Sequence, residues 1–227
     1  MLTLLIRLSR YIFGDFAEDE FKKFVFMGSI FALIIGVYWT LRPLKDAIFI
    51  QLVDKMHLPY AKTMTVIGLL PLIIIYTKLL EKNSREKMLQ ILPAFYGSVI
   101  LIFGLLMFFL QETISTSVML TILGYAWYLF VESFGSLLVA LFWAFATDVT
   151  EPASAKRGFP LVVALGQIGG IICPFSVGGL PYRLGYKTDA LSLMLLGLLI
   201  LCIIPLVKYF LKITPKYLLA SFTSQNN

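Results

Sequence analysis

The chain has 227 residues, of which 59% are hydrophobic and only 14% charged, whereas soluble domains carry roughly 45–50% apolar and about 25% charged residues. That excess of apolar surface excludes an ordinary water-soluble core. The formal charge of +6 does not point to nucleic acid either, because the basic residues gather at the ends of apolar segments instead of forming one patch.

In chain order, Met1–Phe13 is short, basic and amphipathic, with Arg7 and Arg10. It reads as an interfacial helix leading through the mixed-charge stretch Asp15–Lys23, and it lacks the apolar region and small-residue cleavage site of a signal peptide. Six apolar runs follow, each at or above the ~20 residues that a hydrocarbon core of about 30 Å requires. The first runs from Phe24 through Leu41 and continues past Arg42-Pro43 towards Val53. The others are Ala61–Leu80, Gln90–Leu110, Val118–Thr147, Gly158–Leu180 and Ala190–Leu211. Pro43, Pro71, Pro93, Pro174 and Pro205 lie within or near the ends of these runs. A membrane bundle tolerates such residues, and transporters use the helix breaks they cause. The expected fold is an all-α integral membrane bundle of six transmembrane helices over 24–212. A cytoplasmic or interfacial segment at 1–23 and a polar tail at 213–227 complete the expected organisation.

Counting Lys and Arg in the connections gives an orientation. Thirteen lie on the side of the termini: Arg7, Arg10, Lys22, Lys23, Lys78, Lys82, Arg85, Lys87, Lys156, Arg157, Lys208, Lys212 and Lys216. Four lie on the other side, namely Lys55, Lys62, Arg183 and Lys187, with Arg42 and Lys45 set aside as intramembrane candidates. Both termini are therefore expected in the cytoplasm, as an even number of spans requires.

Two places carry charge inside apolar runs. Glu132 sits midway along the fourth, where an ionised side chain costs roughly 2.5–3.5 kcal/mol on insertion scales and so faces a wet cavity or a partner. A protonated Glu that only ties neighbouring helices together is the alternative. Gly135 and Ser136 beside it suit close helix approach. The second place is Arg42, Lys45 and Asp46, at i, i+3 and i+4 on one helical face. Two cations and one anion would leave a net positive patch suited to an anionic solute. Counted from Phe24, however, Arg42 is about 27 Å along a helix, near enough to the far interface to snorkel. Both readings stand, and the apolar stretch Ala47–Val53 argues that the membrane continues beyond.

Little else carries chemistry. His57, the only histidine, has no second ligand nearby in sequence, so no metal site is expected. No phosphate-loop, H-E-x-x-H or G-x-S-x-G motif occurs, and no cofactor is implied. Cys173 and Cys202 lie in separate apolar runs and read as small packing residues. The glycines around Gly166–Gly170 and at Gly178–Gly179 read as close-packing positions of the fifth helix.

The connection KLLEKNSREKML at 78–89 resembles the cytoplasmic second-to-third loop signature of the major facilitator superfamily. Leu79, Arg85 and Leu89 match, with Glu81 and Lys82 as conservative replacements and Thr77 and Ser84 in the glycine positions. Further pieces are YWTLRPLKD at 38–46, LLP at 69–71, NSREK at 83–87, VESFGS at 131–136, LFWAFA at 141–146 and AKRGFPL at 155–161. Together, and in this order, they resemble the nucleotide transport proteins, the ATP/ADP translocases of obligate intracellular bacteria and plastids.

That resemblance implies the N-terminal half of a carrier of about twelve helices, placed in a bacterial inner membrane. It implies transport roles for Lys45 and Glu132, and cavity or gate positions for Arg42, Asp46 and Arg157. The expected partners are a nucleotide such as ATP or ADP, the lipid bilayer and a second six-helix half, but no nucleic acid. The expected function is nucleotide antiport and not enzymatic catalysis. The competing readings are another major-facilitator-like organic-anion carrier, proton-coupled through Glu132, and a non-transporting half: a fragment, a split gene product or a degenerate copy.

Overall fold

The computed structural model describes residues 16–110, 118–179, 188–215 and 219. Among them there is no strand, and six helices are long and apolar enough to cross a membrane. They are α1 (Glu18–Leu52), α2 (Leu58–Lys82), α3 (Arg85–Leu110), α4 (Val118–Asp148), α5 (Pro152–Cys173) and α6 (Thr188–Ile213). A 3-10 turn (Lys55–His57) precedes α2, and α5 continues into a π-helical turn (Pro174–Gly178). The all-α bundle expected from the apolar runs is the one found. The segment Met1–Phe13 and the tail beyond Leu219 lie outside the described residues.

The helices extend past the apolar runs at several ends. α1 begins at Glu18, ahead of the run that starts at Phe24, because Glu18, Asp19 and Glu20 occupy its first turn, where carboxylates favour the positive end of the helix dipole. Lys22 adds an i+4 pair with Glu18 at 2.8 Å. With 35 residues, α1 is about 50 Å long, well beyond the ~30 Å hydrocarbon core. The prolines do not break the helices. Pro43, Pro71, Pro93 and Pro205 sit inside continuous helices, and only Pro174 coincides with a change of winding, from α to π.

Two helices organise the bundle: α1 packs on α5, α4 and α6, and α4 packs on α1, α2 and α3, while α3 pairs with α6. The α1–α5 crossing is a backbone contact. Gly28, Ala32 and Gly36 on α1 face Leu165, Gly169 and Cys173 on α5, both sets spaced by four. A Cβ added at Gly169 would stand 2.1 Å from the Ala32 carbonyl oxygen, and one at Gly36 2.7 Å from the Gly169 oxygen. Small residues at one helical spacing allow this approach where lipid offers no hydrophobic drive for helix association. The α3–α6 crossing repeats the device, since a Cβ on Gly97 would meet the Gly197 oxygen at 3.0 Å.

Gly166, Gly169 and Gly170 thus take the packing role expected of them, against Phe31, Ala32 and Trp39. Gly178 and Gly179 do not. A Cβ at Gly178 would meet only Thr40, at an ordinary 3.5 Å, and one at Gly179 would meet the π turn's own Phe175 oxygen at 2.8 Å. The π turn still touches α1, but without the backbone-to-backbone approach of the crossing.

At the end where α1 begins, here called proximal, charged side chains tie three connections together. Glu20, 7% exposed, accepts from Ser154 Oγ at 2.6 Å and from Arg157 Nη2 at 3.1 Å. Lys23 Nζ donates to the Val149 carbonyl at 2.6 Å, satisfying an acceptor at the C-terminus of α4 that lacks an intrahelical partner. Arg85, at the start of α3, pairs with Asp148 and donates to the Ala144 oxygen at 3.1 Å. Those contacts join α1, α3, α4 and α5 at one end. At the other, distal, end Gln51 Nε2 donates to Asp189 at 2.9 Å, and His57 Nδ1 lies 3.1 Å from the Tyr125 hydroxyl.

Candidate functional site

The two central helices meet at two interlocked pairs. On α1, Lys45 and Phe49 share a face at i and i+4, and on α4, Tyr128 and Glu132 do the same. Lys45 Nζ donates to Glu132 Oε1 at 2.7 Å, lies 3.0 Å from Asp46 Oδ1 and sits 3.6 Å from the Tyr128 ring centroid. Phe49 meets Tyr128 edge-on at 5.3 Å and Tyr125 at 5.2 Å. Gly135, one turn along from Glu132, makes room for Tyr38, whose ring lies 2.3 Å from where a Cβ would be.

Burial shows which way Lys45 turns. The residue is 2% exposed and reaches across to the helix whose midpoint carries Glu132, so it does not snorkel to an interface. The carboxylates are more open, with side chains 31% exposed for Glu132 and 41% for Asp46. An ammonium shut away from water and shared by two half-open carboxylates can hand its donors to a third acceptor only from their side. Lysine's three rotatable donors can exchange one anionic acceptor for another.

Arg42 stands apart from this cluster. It is exposed, and its guanidinium lies 5.8 Å from the Trp39 ring. Because i and i+3 differ by about 60° around the helix, Lys45 enters the α1–α4 seam while Arg42 remains outside it. The patch expected to be net positive is therefore, at the seam, one ammonium with two carboxylates. Arg157 is also separate, held by Glu20 at the proximal end and 5.8 Å from the Phe16 ring. Of the five candidate residues, the fold brings together Lys45, Asp46 and Glu132, and it sets Arg42 and Arg157 elsewhere.

Sequence reasoning missed Tyr128 and Phe49. The available signal was their spacing, four residues before Glu132 and four after Lys45. A cavity of about 460 Å³ also lies beside the distal half of α1, lined by Thr40, Pro43, Leu44, Pro174, Asp189 and Ser192 among others. Neither Lys45 nor Glu132 lines it.

No solved structure matches this chain. Its sequence is similar to ADP,ATP carrier protein 1 of Rickettsia prowazekii, 22% identical over 204 residues, which cover 81% of this chain and 40% of the carrier. It is 23% identical to ADP,ATP carrier protein 1 of Paranosema grylli over 73% of this chain and 35% of that protein. With the plastidic ATP/ADP-transporter of Solanum tuberosum it shares 28% identity over 78% of this chain and 32% of the transporter. The chain thus spans about 40% or less of the length of these curated relatives. The family model described as TLC ATP/ADP transporter matches residues 5–220. With six helices able to span a bilayer and that match over nearly its whole length, this multi-pass membrane protein belongs to the TLC ATP/ADP transporter family.

Proposed function

We propose that this chain forms the N-terminal six-helix half of an ATP/ADP-type nucleotide antiporter, with Lys45 holding a substrate phosphate oxygen on the seam between α1 and α4. The observation that carries the reading is the buried Lys45 ammonium, 2.7 Å from Glu132, within a unit similar to ADP,ATP carriers. Asp46 and Glu132 hold the ammonium in place while the site is empty, and the entering phosphate takes over its donors. Arg42, on the exposed side of the same helix, offers a bidentate guanidinium to the outer part of the phosphate chain. Arg157 serves as a gate residue through Glu20.

A second six-helix unit completes the cavity. The membrane-spanning windows of the other four helices are 44–56% buried, but the window containing α2 is 11% buried and that containing α5 17%. These two poorly covered helices are the faces that such a unit would pack against, and alternating access would rock one unit on the other.

The test is saturable ATP binding by the full chain in lipid nanodiscs, followed by ATP/ADP counterflow in vesicles with the second unit present. ATP binding that ADP competes away and a sugar phosphate does not is the expected result. Equal binding of a sugar phosphate would make this a general organic-anion carrier, and no binding of either would leave a non-transporting half.

One observation favours the second reading. With two carboxylates on one ammonium, an arriving anion adds to an excess of negative charge, which protonation of Glu132 would relieve. Proton-coupled uptake of an organic anion follows from that, and the Glu132 substitutions discussed below separate the two.

Both termini are placed in the cytoplasm, on the side of the thirteen basic residues. Accessibility labelling of tags should find both ends protected in intact cells and reactive only after permeabilisation. Either end labelled from outside would reverse the orientation.

A further inference from the structure

We propose that Tyr128 is the positioning residue of this site, fixing the Lys45 ammonium by the face of its aromatic ring. The inference rests on the reading of Lys45 as a phosphate ligand for its functional consequence, but on geometry alone for the contact. Lys45 Nζ lies 3.6 Å from the Tyr128 centroid, well inside the ~6 Å at which a cation is attracted by the ring quadrupole. Both residues are almost fully buried, at 2% and 1% exposure, so neither the ammonium nor the ring face is screened by water there. Phe49, one turn beyond Lys45, meets the ring at 5.3 Å and 73° and holds it in the orientation that presents its face.

The ring supplies something the carboxylates cannot. Asp46 and Glu132 attract the ammonium but compete with a phosphate for it, and each takes up part of its hydrogen-bonding capacity. A ring face attracts the charge from one side without accepting a conventional hydrogen bond, so it retains the ammonium while its donors change partners. Tyr128 therefore keeps Lys45 in the seam through the exchange of carboxylate for phosphate, when an unsupported lysine with four rotatable bonds would follow the leaving group. An aromatic residue that only fills the core would pack against Phe49 equally well, but its effect would not depend on the electrostatics of the ring.

The experiment uses the full chain in nanodiscs and two readouts. In the first, isotopically labelled lysine is observed by NMR, and the Lys45 signal is assigned by its loss in Lys45→Gln. A ring beneath the ammonium displaces the ε-methylene protons upfield. Tyr128→Phe is expected to keep that displacement and Tyr128→Leu to remove it. A wild-type signal at the position of water-exposed lysines would overturn the contact.

In the second, ATP is titrated against Tyr128→Phe and against the same position carrying mono-, di- and trifluorinated phenylalanine, which weaken the ring face at nearly constant size. The expected result is a small loss for Phe, which lacks the hydroxyl that interacts with Lys45 and Asp46, then a further stepwise loss reaching roughly two- to thirtyfold across the fluorinated series. A flat series in protein that folds normally would reduce Tyr128 to a packing residue. Failure of the wild type to bind ATP would instead defeat the nucleotide reading, and the lysine signal would still decide whether Tyr128 holds Lys45.

Discussion

Lys45→Gln should lower ATP affinity on the order of ten- to a hundredfold, the loss expected for a charge-assisted hydrogen bond to phosphate. Lys55→Gln and Lys62→Gln should leave it within about twofold, as for charges screened by water. All three substitutions remove one positive charge, so bulk electrostatics predicts equal effects. The difference lies in the surroundings: Lys55 and Lys62 are exposed, whereas Lys45 is 2% exposed and acts through a lower effective dielectric. Glutamine also leaves Asp46 and Glu132 without a cation between them. A fully buried pair that loses one partner is destabilised by about 3–5 kcal/mol, but the side chains here are 41% and 31% exposed and water will offset part of that. Lys45→Gln should therefore still insert and accumulate, with a modest fall in thermal stability. Isothermal titration of the three variants in nanodiscs is the direct measurement, and equal affinity losses would remove Lys45 from the substrate site.

For Glu132, the informative substitution is Gln, which keeps the shape and can still accept from Lys45 while losing the charge. If Glu132 is the ionised counter-charge that hands Lys45 to the phosphate, Glu132→Gln should reduce ATP/ADP counterflow at least about tenfold in protein that inserts normally. Glu132→Asp, which keeps the charge but retracts it by one methylene from a 2.7 Å contact, should retain intermediate activity. Proton coupling gives a different pattern: Glu132→Gln would abolish uptake driven by a pH gradient and leave counterflow largely intact, because only the protonation cycle is lost. A carboxyl that merely joins α4 to α1 would give near-normal rates in both assays. Lys45→Gln and the double variant complete a cycle, and because the two groups touch, their effects should be strongly non-additive. Simple additivity would mean that the pair does not act as a unit.

Membrane class, helix number and approximate helix extents were all legible in the amino-acid sequence. A bilayer imposes one requirement on every span, about 20 apolar residues with internally satisfied backbone, and that requirement is local. Likewise, Glu132 announced itself by an ionisable side chain midway along an apolar run, and Gly166–Gly170 by small residues at helical spacing. Helix ends were less legible, because a helix continues past the membrane wherever its residues allow, as Glu18–Glu20 do for α1.

Where Lys45 sits was settled by contacts between helices. Along α1 its position is equally compatible with an interface and with the seam. The choice depends on whether another helix presents an anion at the same height, and Glu132 lies 87 positions away in the chain. The separation of Arg42 from Lys45 has the same origin. Sequence spacing puts them on one broad face, but the contact of α1 with α4 takes in Lys45 and leaves Arg42 exposed. Tyr128 was hidden because an aromatic residue in an apolar span has no distinguishing feature until a cation is placed over its ring. Contacts between helices distant in sequence, not properties of any one helix, assemble this site.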